Sequence, residues 1–202
     1  MSIYANFFVA IWLKFFFLLT PFFVMSVFLS MTQEIAPRDR RRLALKVTVA
    51  VLVACFTLFF FGNHLFSLFG ITIDSFRIGA GALLFLSAVQ MVQGDAAVSP
   101  SDRQGDISVV PLAIPVTVGP ATTGALLVMG AELQGAWQTV IGCAALAAAV
   151  LCIGALLGSA ASIEHVIGKR GITILSKLTG LMLAALAAQI VFTGIKSFLA
   201  IH

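Results

Sequence analysis

The chain has 202 residues, 60% of them hydrophobic and only 10% charged, with a formal net charge of +4. A soluble domain carries about a quarter charged residues, and the mean hydropathy of +1.10 excludes one here. The basic residues are spread over the connections between apolar stretches rather than gathered on one face, which excludes a nucleic-acid partner.

Asp, Glu, Lys and Arg are missing from six windows: 15–33, 47–73, 78–94, 107–131, 133–163 and 178–195. A membrane-crossing helix needs about 20 mostly apolar residues. Six spans are therefore expected, giving an all-α polytopic membrane protein with residues 1–202 as a single integral membrane domain in the lipid bilayer.

The first span lacks a basic n-region and runs on beyond the length of a signal h-region, so it is expected to stay in the mature protein. Lys14 lies among aromatic residues about four turns into it, and its long stem is expected to snorkel to the outer interface. Thr20-Pro21 interrupts the span, with Ser26 and Ser30 beyond. Next comes PRDRRRLALK, with Arg38, Arg40, Arg41, Arg42 and Lys46, a connection that the positive-inside rule places in the cytoplasm. The connections at 95–108 and 164–172 then share that side, and both termini are expected in the periplasm of a bacterial inner membrane. Nine cations fall inside by this count, against Lys14, Arg77 and Lys196 outside.

Span four contains PLAIPVTVGPATTG (111–124), with Pro111, Pro115 and Pro120, the last preceded by Gly119. A proline inside a helix costs roughly 3 kcal/mol or more, and hydrocarbon offers no water to satisfy the freed backbone groups. Thr117, Thr122 and Thr123 flank this break. In span five, CAALAAAVLC (143–152) and the GxxxG of Gly154 and Gly158 read as close helix packing. Cys55, Cys143 and Cys152 have no metal-ligand spacing and read as small helix-contact residues. Gln90 and Gln189 are expected to hydrogen-bond between helices.

The chain also repeats itself. FGITIDSFRIGAGALLFLSAVQMVQG (69–94) aligns with RGITILSKLTGLMLAALAAQIVFTG (170–194), at an offset that passes from 101 through 100 to 99 residues. Gly70-Ile71-Thr72-Ile73 matches Gly171-Ile172-Thr173-Ile174, Gly81 matches Gly180, and Gln90 matches Gln189. The offset of 99 carries Pro120 back onto Pro21. Two halves, about 1–100 and 101–202, each hold three spans, and an odd number of spans makes the second half enter from the opposite side. The expected architecture is therefore two inverted-topology three-helix repeats, with helices 1 and 4 broken at prolines.

Inverted repeats with helices interrupted at corresponding places point to a secondary transporter. A helix that stops inside the membrane presents free N–H groups at one broken end and free carbonyls at the other. The N–H groups favour a carboxylate, and the carbonyls favour an ammonium group or a metal cation. No Asp or Glu lies in any window, so the carboxylate expected of an intramembrane proton relay is missing. No resident cofactor is expected. Whether Na+ or H+ is co-transported is left open, as is oligomeric state, a homo-oligomer being compatible with the sequence.

These residues resemble the MarC family of integral membrane proteins, which includes small neutral amino-acid transporters of the SnatA type. The resemblance is carried by SVFLSMT (26–32), PRDRRRLA, 69–91, VVPLAIPVTVGPATT (109–123) and 171–195. It implies six spans in two inverted repeats, broken first and fourth helices, and glycine- or alanine-like substrates. The chain departs from the family's usual Asn-Pro-x-Gly-x-x-Pro in span one, showing Thr20-Pro21-Phe22-Phe23-Val24-Met25-Ser26. In span four, Gly-Pro-Gly-Ala becomes Gly119-Pro120-Ala121-Thr122.

The candidate substrate-binding residues are therefore Thr20, Pro21, Phe22 and Phe23 with Thr117, Gly119, Pro120, Thr122 and Thr123. Backbone N–H groups would take the carboxylate, carbonyls and threonine hydroxyls the ammonium, and the phenylalanines would limit side-chain volume. The alternatives are an exporter of larger apolar, drug-like compounds and a non-transporting membrane scaffold. An intramembrane enzyme would need a catalytic set at membrane depth, for which only Lys14 with Ser26 or Ser30 is available.

Overall fold

The computed structural model describes residues 2–33, 35–94, 118–133 and 135–200, which are helical with short connections. Helix α1 (Ser2–Leu18) is separated from α2 (Pro21–Met31) by two residues only. Then follow α3 (Pro37–Phe69), α4 (Ile73–Gln93), α5 (Pro120–Glu132), α6 (Ala136–Gly158) and α7 (Ala160–Ala200).

Five stretches are long and apolar enough to cross a membrane: Tyr4–Met31 taken across the α1–α2 break, Pro37–Gly62, Ile73–Gln93, Ala136–Gly158 and Ala160–Leu199. The fourth expected span is described only from Val118 onward. Its α5 has 13 residues and so a length of about 20 Å, short of the roughly 30 Å hydrocarbon core. Pro111, Pro115 and Thr117 lie outside the described residues.

The helix ends follow from local chemistry. Gly70 closes α3 in the left-handed conformation (φ 64°), and Thr72 then caps α4 by accepting the Ser75 N–H at 3.2 Å. The matching Gly171-Ile172-Thr173-Ile174 block behaves differently. It lies within α7, and the Thr173 hydroxyl donates to the Lys169 carbonyl at 3.0 Å. The interruption of α7 falls at Gly168, whose φ of 71° and ψ of 168° leave the helix for one residue. A connection expected over 164–172 is thus reduced to a single glycine, because helical hydrogen bonding resumes directly after it.

Small residues set the helix seams, as expected where burial in lipid offers no hydrophobic drive for association. A Cβ built on Gly62 would lie 2.5 Å from the Leu127 carbonyl oxygen, and one on Gly130 would collide with the Phe59 carbonyl oxygen, so α3 and α5 touch backbone to backbone. Gly124 of α5 faces Ala80 of α4, and Gly154 of α6 faces Thr48 of α3. The other glycine of the GxxxG, Gly158, has nothing within 4 Å of a built Cβ, so only one of the pair makes a close contact. On α4 and α7, Gly81 meets Ala187 and Val191 while Gly180 meets Ala88 and Val92. Those contacts make the two helices antiparallel.

Phe15, Leu18, Leu19, Met25, Phe28, Leu126, Leu146 and Leu183 form the centre of one continuous core. Outside it, Val53, Phe60, Leu83, Leu151 and Phe192 are exposed, an apolar surface suited to lipid. Tyr4 of α1 and Trp137 of α6 meet edge-on at 5.5 Å between centroids, an aromatic pair of the kind found at a membrane–water boundary. The three cysteines are free thiols, with Cys55 buried.

Candidate functional site

The α1–α2 break is built by Thr20 and Pro21. The last turn of α1 closes with Leu19 N–H donating to Phe15 O (3.0 Å) and Thr20 N–H to Phe17 O (3.1 Å). Thr20 then adopts φ 48°, ψ 58°, and Pro21 opens α2. Thr20 is the one non-glycine residue at positive φ among the described residues. A β-branched side chain there is a genuine outlier, and residues held in such regions cost about 1–3 kcal/mol. Its carbonyl accepts the first bond of α2, from Val24 N–H at 3.0 Å.

Of the second expected break, the described residues hold the downstream side, the start of α5. Gly119 is the N-cap of α5, Pro120 its first residue, and Thr123 N–H donates to Gly119 O at 2.8 Å. In both helices the proline occupies the first position, where its missing N–H is no loss. The first-turn N–H groups of Phe22 and Phe23, and of Ala121 and Thr122, have no acceptor within their own helix. Neither Thr20 nor Gly119 offers a side-chain cap to them. Two uncapped helix N-termini therefore present donors and partial positive charge.

Thr20, Pro21 and Thr122 are buried, Phe22, Phe23, Gly119 and Thr123 half-buried, and Pro120 exposed. Both breaks border one core: Leu18 and Leu19 belong to it with Val118 and Ala121, and Phe22 and Phe23 pack against it. Phe22 lies edge-on to Phe16 of α1, 6.4 Å between centroids, so it folds back over its own break. Of the nine candidate residues only Thr117 has no described position.

A polar cavity that the sequence reading missed lies beside the first break. It has a volume of about 340 Å³, and its lining includes Lys14 and Leu18 of α1, Arg77 of α4, Glu132 of α5, and Gln189 and Thr193 of α7. Leu18, the last residue of α1, links it to Thr20 two residues on. A second hollow of about 210 Å³ shares Lys14, Met129 and Glu132 with it. Lys14 thus borders both hollows, about 15 Å along the helix axis from Tyr4. Gln189, expected in a helix-to-helix hydrogen bond, lines the cavity.

Arg77 joins two helices at the cavity. Its Nε donates to Glu132 Oε1 at 2.8 Å, and its Nη1 pairs with Asp74 one turn earlier in α4. The side chains of Arg77 and Asp74 are each only 16% exposed, whereas that of Glu132 is 36% exposed, so the network is shielded on α4 and open to solvent at Glu132. Glu132 lies one position beyond the charge-free window 107–131, and its partner is 55 residues away in sequence. The only hint in the sequence was that Lys14, Arg77 and Glu132 all fall at span margins on one side of the expected topology. Among the described residues, no group of three His, Cys, Asp or Glu comes together as a metal site.

Comparison with known proteins places the chain among integral membrane proteins. The chain is 31% identical to the UPF0056 membrane protein YhcE of Escherichia coli (strain K12), over 96% of this chain and 92% of the relative. A UPF0056 membrane protein of Aquifex aeolicus (strain VF5) is 32% identical, over 90% of this chain and 89% of its own. One of Pyrococcus abyssi (strain GE5 / Orsay) is 30% identical, over 94% of each. No solved structure matches the chain. The sequence pattern of MarC family integral membrane proteins matches residues 5–199. With nearly its whole length matched, the chain belongs to the MarC family of integral membrane proteins.

Proposed function

We propose that the protein is a secondary transporter of small neutral amino acids, working by alternating access across a bacterial inner membrane. The observation that carries this reading is the pair of breaks, at Thr20-Pro21 and Gly119-Pro120, each leaving an uncapped helix N-terminus against the core. Such termini suit a substrate carboxylate, and the carbonyls ending α1 suit its ammonium group. In this reading residues 107–117 complete the fourth of six spans, and both termini are periplasmic.

An inverted repeat is supported by the α4–α7 seam, in which antiparallel helices matched in sequence contact each other through matched glycines. The two halves would rock about a site between the breaks. The exposure change would then come from sliding at glycine-lined seams rather than from unfolding. The protein carries out no bond chemistry in this scheme; substrate passes unchanged.

Reconstitution in liposomes tests it, with uptake of labelled glycine and alanine followed with and without sodium and proton gradients. Saturable uptake, competed by neutral amino acids and weakened in Thr122→Val, is the expected result. No saturable uptake under any gradient would sink the reading. The half-buried Phe22 and Phe23 favour one competing reading, export of larger apolar compounds. That reading requires transport without stereochemical preference, and competition by apolar compounds rather than by alanine.

A further inference from the structure

We propose that the cavity between α1, α4, α5 and α7 is a second binding site, separate from the helix breaks, for the charged head of a zwitterion of the α-amino-acid class. The choice of amino acids as ligand rests on the transporter reading. The site itself rests on the charges around the cavity.

Three ionic side chains line it, Lys14, Arg77 and Glu132, and a fourth, Asp74, pairs with Arg77 from within α4. Their charges cancel, so a ligand of zero net charge enters without leaving an uncompensated charge behind. The arrangement still separates the charges in space. Arg77 commits Nε to Glu132 and Nη1 to Asp74, and its Nη2 has no partner among the described residues. Lys14 forms no ion pair among the described residues. Glu132 uses Oε1 for Arg77, leaving Oε2 as an acceptor.

A carboxylate therefore finds donors at Arg77 Nη2 and Lys14 Nζ, and an ammonium group finds an acceptor at Glu132 Oε2. The charge-assisted bonds so formed are the strong kind. A simple anion would gain the donors but face the Glu132 carboxylate, and a simple cation would gain Glu132 but face Lys14 and Arg77. The walls between are apolar, with Leu84 and Ile190 available to a short side chain. At about 340 Å³ the volume belongs at the small end of ligand pockets. In the proposed topology Lys14, Arg77 and Glu132 lie on the periplasmic side of the breaks.

Equilibrium binding of labelled L-alanine to the purified full-length protein tests this, with acetate and ethylammonium as single-charge competitors. The wild type is expected to bind two alanines per chain. Glu132→Gln and Lys14→Gln should each remove one or weaken it by at least about tenfold, the size of one lost charge-assisted hydrogen bond. Thr122→Val should spare that site. Should either substitution spoil folding, Thr193→Cys gives the same readout: alanine slows its alkylation by a membrane-impermeant maleimide, and acetate does not.

A single alanine, lost in Glu132→Gln but kept in Thr122→Val, supports the cavity site and defeats the site at the breaks. A single alanine lost in Thr122→Val, or binding indifferent to Glu132→Gln and Lys14→Gln, overturns the cavity site and leaves the breaks. No alanine binding at all overturns both. Competition by acetate as strong as by unlabelled alanine also overturns the zwitterion assignment.

Discussion

Gly81 and Gly180 make the same contact from opposite sides of one seam. A Cβ on Gly81 would lie 2.6 Å from Val191 Cγ2 and 3.1 Å from Ala187 O, and one on Gly180 would lie 3.0 Å from Val92 Cγ2 and 3.2 Å from Ala88 O. Subtracting 99 from 180, 187 and 191 gives 81, 88 and 92, so each helix meets its own sequence counterpart at matching positions. Added methylenes at a packed seam cost about 1–3 kcal/mol. Gly81→Ala is expected to lower the thermal midpoint in detergent more than Gly180→Ala, because its Cβ has less room. Gly180→Leu should exceed both.

Thr20 carries strain that another residue would carry at less cost. Asparagine is several-fold enriched in the left-handed region, whereas threonine is branched at Cβ. Thr20→Asn is expected to stabilise the protein by about 1 kcal/mol, read as a rise in thermal midpoint. Thr20→Val should lower it, since the branch stays and the hydroxyl is lost. A fall with Thr20→Asn would mean that the hydroxyl, not the backbone, determines the residue at this position.

Arg77 holds α4 to α5 through Glu132, and its own first turn through Asp74. Exposed ion pairs contribute about 0–1 kcal/mol, and breaking buried ones costs about 3–5. At 16% exposure, Arg77→Met is expected to cost an intermediate 1–3 kcal/mol or so. Arg77→Lys should recover only part, because one ammonium does not reproduce the guanidinium fork. Chemical denaturation monitored by helicity separates the three.

The two glycines of the GxxxG differ. A Cβ at Gly154 would collide with Thr48, and Gly154→Ala should cost about 1–3 kcal/mol. Gly158 has open space at the end of α6. Gly158→Ala is expected to be neutral or to stabilise by up to about 1 kcal/mol through reduced unfolded-state entropy. Equal losses at both would show that the pair acts together in some other assembly.

The break at Thr20-Pro21 and the start of α5 at Gly119-Pro120 were legible because proline acts through local sterics. The matched glycines were legible too, as a repeat. What they touch was not, since a seam joins residues about 100 apart. The interruption in α7 falls inside the connection expected at 164–172 but is far shorter, because the repeated Gly-Ile-Thr-Ile block starts a helix at 70–73 and continues one at 171–174. Here tertiary packing overrides a shared local sequence. Arg77–Glu132 escaped notice for a different reason. Each residue alone is an unremarkable charge at a span margin, and only folding brings the 55-residue separation to 2.8 Å.

The break between α1 and α2 is fixed by covalent chemistry. Pro21 has no N–H to offer Phe17, and the Phe17 carbonyl is already taken by Thr20. No rearrangement of the bundle can heal the two pieces into one straight helix. Any conformation that keeps Thr20 at positive φ keeps its strain, and a cost common to two states cancels from the equilibrium between them. It lowers the overall stability of the fold without favouring one conformation over another. That balance is left to contacts that differ between conformations, with the seams and the Arg77 network as the elements able to supply them.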